Sequence, residues 1–188
     1  MSDTESSTPQ QPQKNHTTHI PAPTRAQKIA FTGIICVIIT LTTLKSFFSI
    51  GGLWVPQRQR VRILELQPFD LFFHSHNWFA PLFDTIGNIG FFIPFGMMTA
   101  VLLARHNHRI IKATGYSTLF SLFIESSQYI FALGRTDIDD LWCNTLGGFL
   151  GASIVTAFGH SAHRLWTSIA VATSGIFIAL LLFDNTQP

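Results

Sequence analysis

The sequence predicts an all-α integral membrane protein, a helical bundle of about five transmembrane helices with an aromatic interfacial segment after the first. Three observations predict it. The chain of 188 residues is 47% hydrophobic, only 12% charged and contains 18 Phe. Its apolar residues gather into runs of roughly 20, enough to span a ~30 Å hydrocarbon layer at ~1.5 Å per residue. Short polar connections separate those runs. A net charge of +2, with Lys and Arg scattered along the chain, gives no basis for a nucleic-acid partner. The lipid bilayer is the partner that the composition demands.

In chain order, residues 1–27 form a polar tail rich in Ser, Thr, Pro, Gln and Asn, with too little apolar content to bury a core, and disorder is expected there. Residues 28–48 are read as an amino-terminal transmembrane anchor, opening at Lys28 with an apolar run from Ile29 to Phe48. A cleaved signal peptide fits less well, because the preceding polar region and the apolar core are both long and no small-x-small site follows. Residues 49–84 contain Pro56, Pro68 and Pro81 among Trp54, Phe69, Phe72, Phe73, Trp78, Phe79 and Phe83. Proline disfavours a continuous helix and amphipathic aromatics favour the headgroup level, so an external, interfacial segment without helix is expected. Four further spans follow at Thr85–Ala104, Ala113–Leu133, Asp140–Phe158 and Leu165–Phe183, the last (165–183) being the carboxyl-terminal transmembrane helix.

Basic residues near the span ends set the orientation. With the amino terminus cytoplasmic, Lys14, Arg25, Lys28, Arg105, Arg109, Lys112 and Arg164 all fall inside, as the positive-inside rule requires, against Arg58, Arg60 and Arg62 outside. Cys36 and Cys143 then lie in different spans at different depths, and both thiols are expected to be free.

Polar residues in the second, third and fourth spans carry the functional signal, since such groups cost several kcal/mol in hydrocarbon unless partnered. Glu125 is the sharpest point, with Gln128 one turn above it on the same face, where the two can share a ligand or a proton. The alternative is a protonated Glu125 that hydrogen-bonds a neighbouring helix. At ~100° per residue Asp137, Asp140 and Asn144 share an arc that Asp139 leaves. Asp137 and Asp140 are therefore expected to face a site, and Asp139 to cap the fourth span or meet solvent. Asn88 serves a ligand or an interhelical hydrogen bond, while Pro94 leaves the Gly90 carbonyl without its helical donor. Gly147 and Gly151 form a small-xxx-small face for close helix packing, within the chain or in a homodimer. Together Asn88, Glu125, Gln128, Arg135, Asp137, Asp140 and Asn144 converge on the external half as a binding site, with Glu125, Asp137 and Asp140 as the candidate catalytic groups.

No cofactor is expected, because the chain has neither a Gly-rich phosphate loop nor a dinucleotide fingerprint. No metal is expected either: His74-x-His76 lies outside while His106-x-His108, His160 and His163 lie inside, which separates the two sets. A Gly-x-Ser-x-Gly nucleophile motif is missing, and no His stands in the third span to activate Ser126 or Ser127.

Four ordered blocks carry a family resemblance: Leu66-Gln67-Pro68-Phe69; Asn88-Ile89-Gly90-Phe91-Phe92-Ile93-Pro94-Phe95-Gly96; Glu125-Ser126-Ser127-Gln128; and Arg135-Thr136-Asp137-Ile138-Asp139-Asp140 with Asn144-Thr145-Leu146-Gly147-Gly148. From Leu64 to Ala157 (residues 64–157) the chain resembles the VanZ-like family of bacterial membrane proteins, named after a factor associated with teicoplanin resistance. It departs from the pattern at Leu66-Gln67 and at Cys143, neither of which touches the polar groups above. The resemblance implies a multispanning protein of the bacterial cytoplasmic membrane and, for some members, lowered sensitivity to glycopeptide antibiotics. It implies no settled reaction. Three functions are therefore weighed: recognition of a lipid-linked cell-wall precursor or a glycopeptide, with Arg135 holding phosphate or carboxylate; acid–base chemistry on a lipid-carrier substrate by Glu125 with Asp137 or Asp140; and proton-coupled transport. The last ranks lowest, because only Thr99, Thr114, Ser117, Thr118 and Ser121 continue the polar route inward.

Overall fold

The computed structural model describes residues 22–42, 62–70, 73, 78–159 and 163–184. They form five helices, α1 (Arg25–Thr42), α2 (Phe79–Leu102), α3 (Arg109–Phe131), α4 (Ile138–Phe158) and α5 (His163–Asp184), with two short strands, β1 (Arg62–Glu65) and β2 (Gly134–Asp137). Each expected span corresponds to a helix, with shifted ends. The largest shift is at α2, which begins at Phe79 rather than Thr85. Pro81 sits in its first turn, where its missing N–H leaves no helical bond unmade. The tail 1–21, the end of the anchor at 43–48, and most of the aromatic segment, with His74 and His76, lie outside the described residues.

Three of these helices, α1, α2 from Pro81 and α4, are long and apolar enough to cross a membrane among the described residues. The described residues are thus mostly helical, in keeping with a helical membrane protein. Helix α3 is as long, yet Arg109, Lys112 and a run of hydroxyl and amide side chains dilute it. Four of those polar groups point inward: Ser117, Ser121, Glu125 and Gln128 are buried, three or four residues apart on one face. Leu119, Leu122, Phe123 and Ile130 occupy the outside. A polar stripe turned to the interior and an apolar face turned out suit a lipid surround, where an outward hydroxyl would find no water.

Helices α2 and α4 approach until backbone meets backbone. A Cβ added to Gly96 would overlap the carbonyl of Gly148, one at Gly147 the carbonyl of Ile89, and one at Gly151 the carbonyl of Ile93. Gly148 faces α3 instead, where a Cβ would overlap the Ser117 hydroxyl. Each glycine costs about 0.5–1 kcal/mol of helix propensity, and the return is backbone-to-backbone contact without an intervening side chain. Gly147 and Gly151 thus meet α2 of the same chain, which accounts for their size without a second copy. Helix α2 runs through Pro94 unbroken. Around this seam Phe92, Phe95 and Phe120 pack ring against ring, with Phe95 and Phe120 stacked at 4.9 Å between centroids. Helix α1 joins through Ala30, Ile34 and Ile38, four residues apart and buried.

The sequence does not anticipate the strands: within 49–84 a segment without helix is expected, and β1 lies in it. β1 and β2 pair in parallel, Arg62 opposite Gly134 through Glu65 opposite Asp137. Helix α3 stops at Ala132, which adopts the left-handed conformation at φ 51°, and Leu133 donates its N–H to the Gln128 carbonyl 2.9 Å away. The chain then emerges extended as β2 and offers an edge to β1. Three side-chain bonds fasten β1 and the residues after it as a strap across this end of the bundle. Arg62 donates from Nε to the Tyr129 carbonyl and from Nη2 to that of Ile130, both at 3.0 Å, while its guanidinium lies 5.7 Å from the Tyr129 ring centre. Those carbonyls belong to the last turn of α3, where a cation is favoured. Asp139 accepts the Phe69 N–H at 2.7 Å.

Two predictions follow from this packing. Gly151→Ala is expected to lower the thermal stability of the purified protein, because α2 and α4 must separate. Gly115→Ala, where nothing lies within 4 Å, is expected to be neutral or to stabilise by about 0.5–1 kcal/mol. Arg62→Ala is expected to speed proteolysis and hydrogen exchange within 62–70 while leaving exchange in α2 and α4 unchanged. Equal acceleration throughout would mean that the strap holds the whole bundle.

Candidate functional site

The strapped end of the bundle gathers most of the polar residues singled out from sequence. Glu125 is 5% exposed, and its Oε2 accepts the backbone N–H of Asp137 at 3.1 Å. Thr136 donates its hydroxyl to the Glu125 carbonyl, also at 3.1 Å. Both bonds tie β2 to α3 and leave the Glu125 carboxylate directly beneath the start of α4. The Glu125 carboxylate thus has a backbone amide of the connection as one of its partners.

Asp137 ends β2 and is the N-cap of α4. Its backbone is extended (φ −126°, ψ 133°) and its Oδ1 accepts the N–H of Asp139 at 3.0 Å. The capping role thus falls on Asp137 instead of Asp139, whose carboxylate holds the strap. The reason is the extended backbone of β2, which reaches one residue into the expected turn and puts the helix boundary at Asp137. Burial pushes the Asp137 carboxyl above the ordinary aspartate range, and the neighbouring Asp139 adds to this; the Asp139 N–H and the Arg135 guanidinium oppose it.

Arg135 is surrounded by acids. Its Nη2 lies 3.1 Å from Glu65 and 3.4 Å from Asp70, and its Nε is 3.6 Å from Asp137. Three carboxylates share one guanidinium. Glu65 and Asp70 come from the strap, and sequence reasoning missed both because no local pattern connects residues 65 and 70 apart from each other to residue 135. Asn88 donates from Nδ2 to Asp140 in a short hydrogen bond, which joins α2 to the first turn of α4. Asn144, one turn further on, donates to the Ser121 hydroxyl at 2.9 Å, and its buried Oδ1 has no hydrogen-bond partner among the described residues.

Gln128 donates from Nε2 to the Thr42 carbonyl at 2.9 Å and so fastens α1 to α3. Among the described residues its buried Oε1 has no hydrogen-bond partner.

Beside Glu125 and Asp137 runs a groove of about 340 Å³ between α3, the start of α4 and the strap. Leu64 and Leu66 form its strap side, Leu122, Tyr129 and Ile130 its α3 side, and Ile138 and Leu141 its α4 side. Glu125, Asp137, Thr136 and Ser126 supply the polar part of the lining. The alternation of β1 explains the first wall: Leu64 and Leu66 point one way, and Glu65 between them points to Arg135. Below the groove, along the same seam, Thr118 and Thr145 hydrogen-bond across α3 and α4 at 3.1 Å. The geometry can therefore take an apolar chain along the walls and a hydrogen-bond donor at the carboxylates.

Among the described residues no group of three or more His, Cys, Asp or Glu side chains is placed to hold a metal ion. Cys36 and Cys143 are both free thiols. Cys143 borders a second depression of about 340 Å³ with Pro68, Phe69, Thr85, Asp139 and Trp142.

Comparison with known proteins is in keeping with this architecture. A protein described as Protein VanZ from Enterococcus faecium is 31% identical over 99 residues, which cover 53% of this chain and 60% of that protein. The chain thus matches less than two thirds of that relative's length. No solved structure matches. The family model described as VanZ/LLP1 matches residues 31–159, from the first turns of α1 through the whole of α4, and includes every residue of the site just described. By that match over more than half its length, the chain belongs to the VanZ/LLP1 family.

Proposed function

We propose that this protein is a multi-pass protein of the bacterial cytoplasmic membrane whose strapped end faces outward and recognises a cell-envelope or lipid-linked precursor, lowering sensitivity to glycopeptide antibiotics. The observation that carries the reading is the groove, in which apolar walls lead to buried carboxylates at Glu125 and Asp137. Such a lining suits a molecule that is part lipid and part polar headgroup, because each portion meets matching chemistry. Arg135 lies against Asp137, Asn88 and Asp140 join α2 to α4, Asn144 joins α4 to α3 through Ser121, and Gln128 fixes α1 to the assembly.

The orientation and the count of five spans belong to the same reading. Arg25 and Lys28 open α1, Arg105, Arg109 and Lys112 surround the turn from α2 to α3, and Arg164 lies at the start of α5. Arg109 reaches the Thr156 carbonyl near the end of α4, at 3.4 Å, which supports gathering these cations at one end, opposite the strap. A cytoplasmic amino terminus then satisfies the positive-inside rule. Helix α3 crosses despite its polar content, because that content faces the interior. The resistance phenotype rests on the family and on the likeness to Protein VanZ.

Acid–base catalysis by Glu125 with Asp137 or Asp140 is the second reading, favoured by the placement of Glu125 and Asp137 on one groove with burial raising the Asp137 pKa. Both readings meet one experiment: cells lacking the protein are complemented with wild type or Glu125→Gln at matched expression, and teicoplanin tolerance is scored with the lipid-linked and cell-wall species. Gln keeps an oxygen for the Asp137 N–H and loses the ionisable group. Lost tolerance with unchanged envelope chemistry is expected for recognition. A species that changes with wild type and not with Glu125→Gln would point to catalysis, and full retention of both would leave Glu125 as a structural acceptor.

A further inference from the structure

We infer that the groove selects an amphiphile whose single apolar chain ends in an ammonium group, and that it discriminates against chains headed by phosphate. The inference rests on the reading of the groove as the ligand site and adds the chemistry of the headgroup. It runs against the role first assigned to Arg135, which sequence alone offered as the holder of a phosphate or carboxylate.

The position of the charges decides the matter. Among the described residues that line the groove there is no Lys or Arg, whereas Glu125 and Asp137 are both there. Arg135 is turned away from it and is already engaged by Glu65, Asp70 and Asp137. Arg62, the other described cation at this end, is spent on the Tyr129 and Ile130 carbonyls. An anionic headgroup would have to displace Glu65 or Asp70 from Arg135 and then remain beside Asp137 and Glu125. Like charges so placed repel, the more strongly because the site is shielded from water.

A cation meets the opposite situation. Glu125 and Asp137 are each 5% exposed, so their carboxylates have given up most of their hydration. An ammonium donating to desolvated carboxylates makes charge-assisted hydrogen bonds, which are roughly twice as strong as neutral ones. The hydroxyl of Ser126, also on the groove, can accept a further N–H. Size limits the tail: about 340 Å³ lies at the lower end of the ~300–1,000 Å³ of small-ligand sites, which suits one chain and not the paired chains of a bulk phospholipid. Leu64, Leu66, Leu122 and Leu141 supply walls for that chain.

The test uses the full chain in phosphatidylcholine nanodiscs, with dodecylammonium and dodecyl phosphate as probes and bound probe counted by native mass spectrometry. Wild type is expected to bind the ammonium at least about tenfold more tightly than the phosphate, a difference of ~1.4 kcal/mol. Glu125→Gln and Asp137→Asn are expected to reduce that preference to about threefold or less; Gln keeps an acceptor for the Asp137 N–H and Asn remains a good N-cap. Leu122→Trp, and separately Leu64→Trp, fill the groove and are expected to abolish binding of the ammonium. Equal or tighter binding of the phosphate, still abolished by the Trp variants, would overturn the headgroup assignment and leave the groove as the ligand site. Binding of both probes unchanged by either Trp variant would overturn the groove reading and this inference with it.

Discussion

The hydrogen bond from the Asp137 N–H to the Glu125 carboxylate is the interaction on which the strapped end depends. It joins a buried acid in the middle chain segment of the bundle to the residue where a strand ends and a helix begins. Because the donor is a backbone group, it positions the chain and not merely a side chain. Asp137 can then cap α4, β2 keeps the extended form that pairs with β1, and Asp139 and Asp140 project to the strap and to Asn88 respectively. A buried carboxylate without such a donor would retain its full desolvation cost.

The remainder of the bundle follows the same requirement in a surround without water. Polar side chains of α3 turn inward and find partners on α4 and α1, while Leu and Phe face outward. Glycines let α2 and α4 approach until backbone meets backbone, which gives their contact a specificity that apolar side chains in lipid do not supply. The Thr118–Thr145 and Ser121–Asn144 pairs extend this polar seam below Glu125. They make it more continuous than a list of isolated hydroxyls suggests, and each pair ties α3 to α4 across the seam.

The strap converts that framework into a groove. Alternation along β1 gives one face to Arg135 through Glu65 and the other to an apolar wall through Leu64 and Leu66. A single four-residue strand thereby separates the charged cluster from the hydrophobic channel. The guanidinium is neutralised on one side, and the carboxylates on the other are left to define what the groove accepts.

Much of this was legible in the chain by itself. Apolar run length placed all five helices, and the expense of buried polar groups singled out Asn88, Glu125, Arg135, Asp137, Asp140 and Asn144, all of which the fold brings to one end or just beneath it. The pairing of residues far apart in sequence was not legible. Parallel β1–β2 pairing, the three acids on Arg135, the attachment of Gln128 to α1, and the exchange of capping from Asp139 to Asp137 each depend on a partner that no local spacing reveals. Helical periodicity reports which residues share a face, because it follows from the covalent repeat of the backbone. Only tertiary packing decides what that face meets, because a desolvated donor or acceptor takes whichever partner the fold brings within hydrogen-bonding reach.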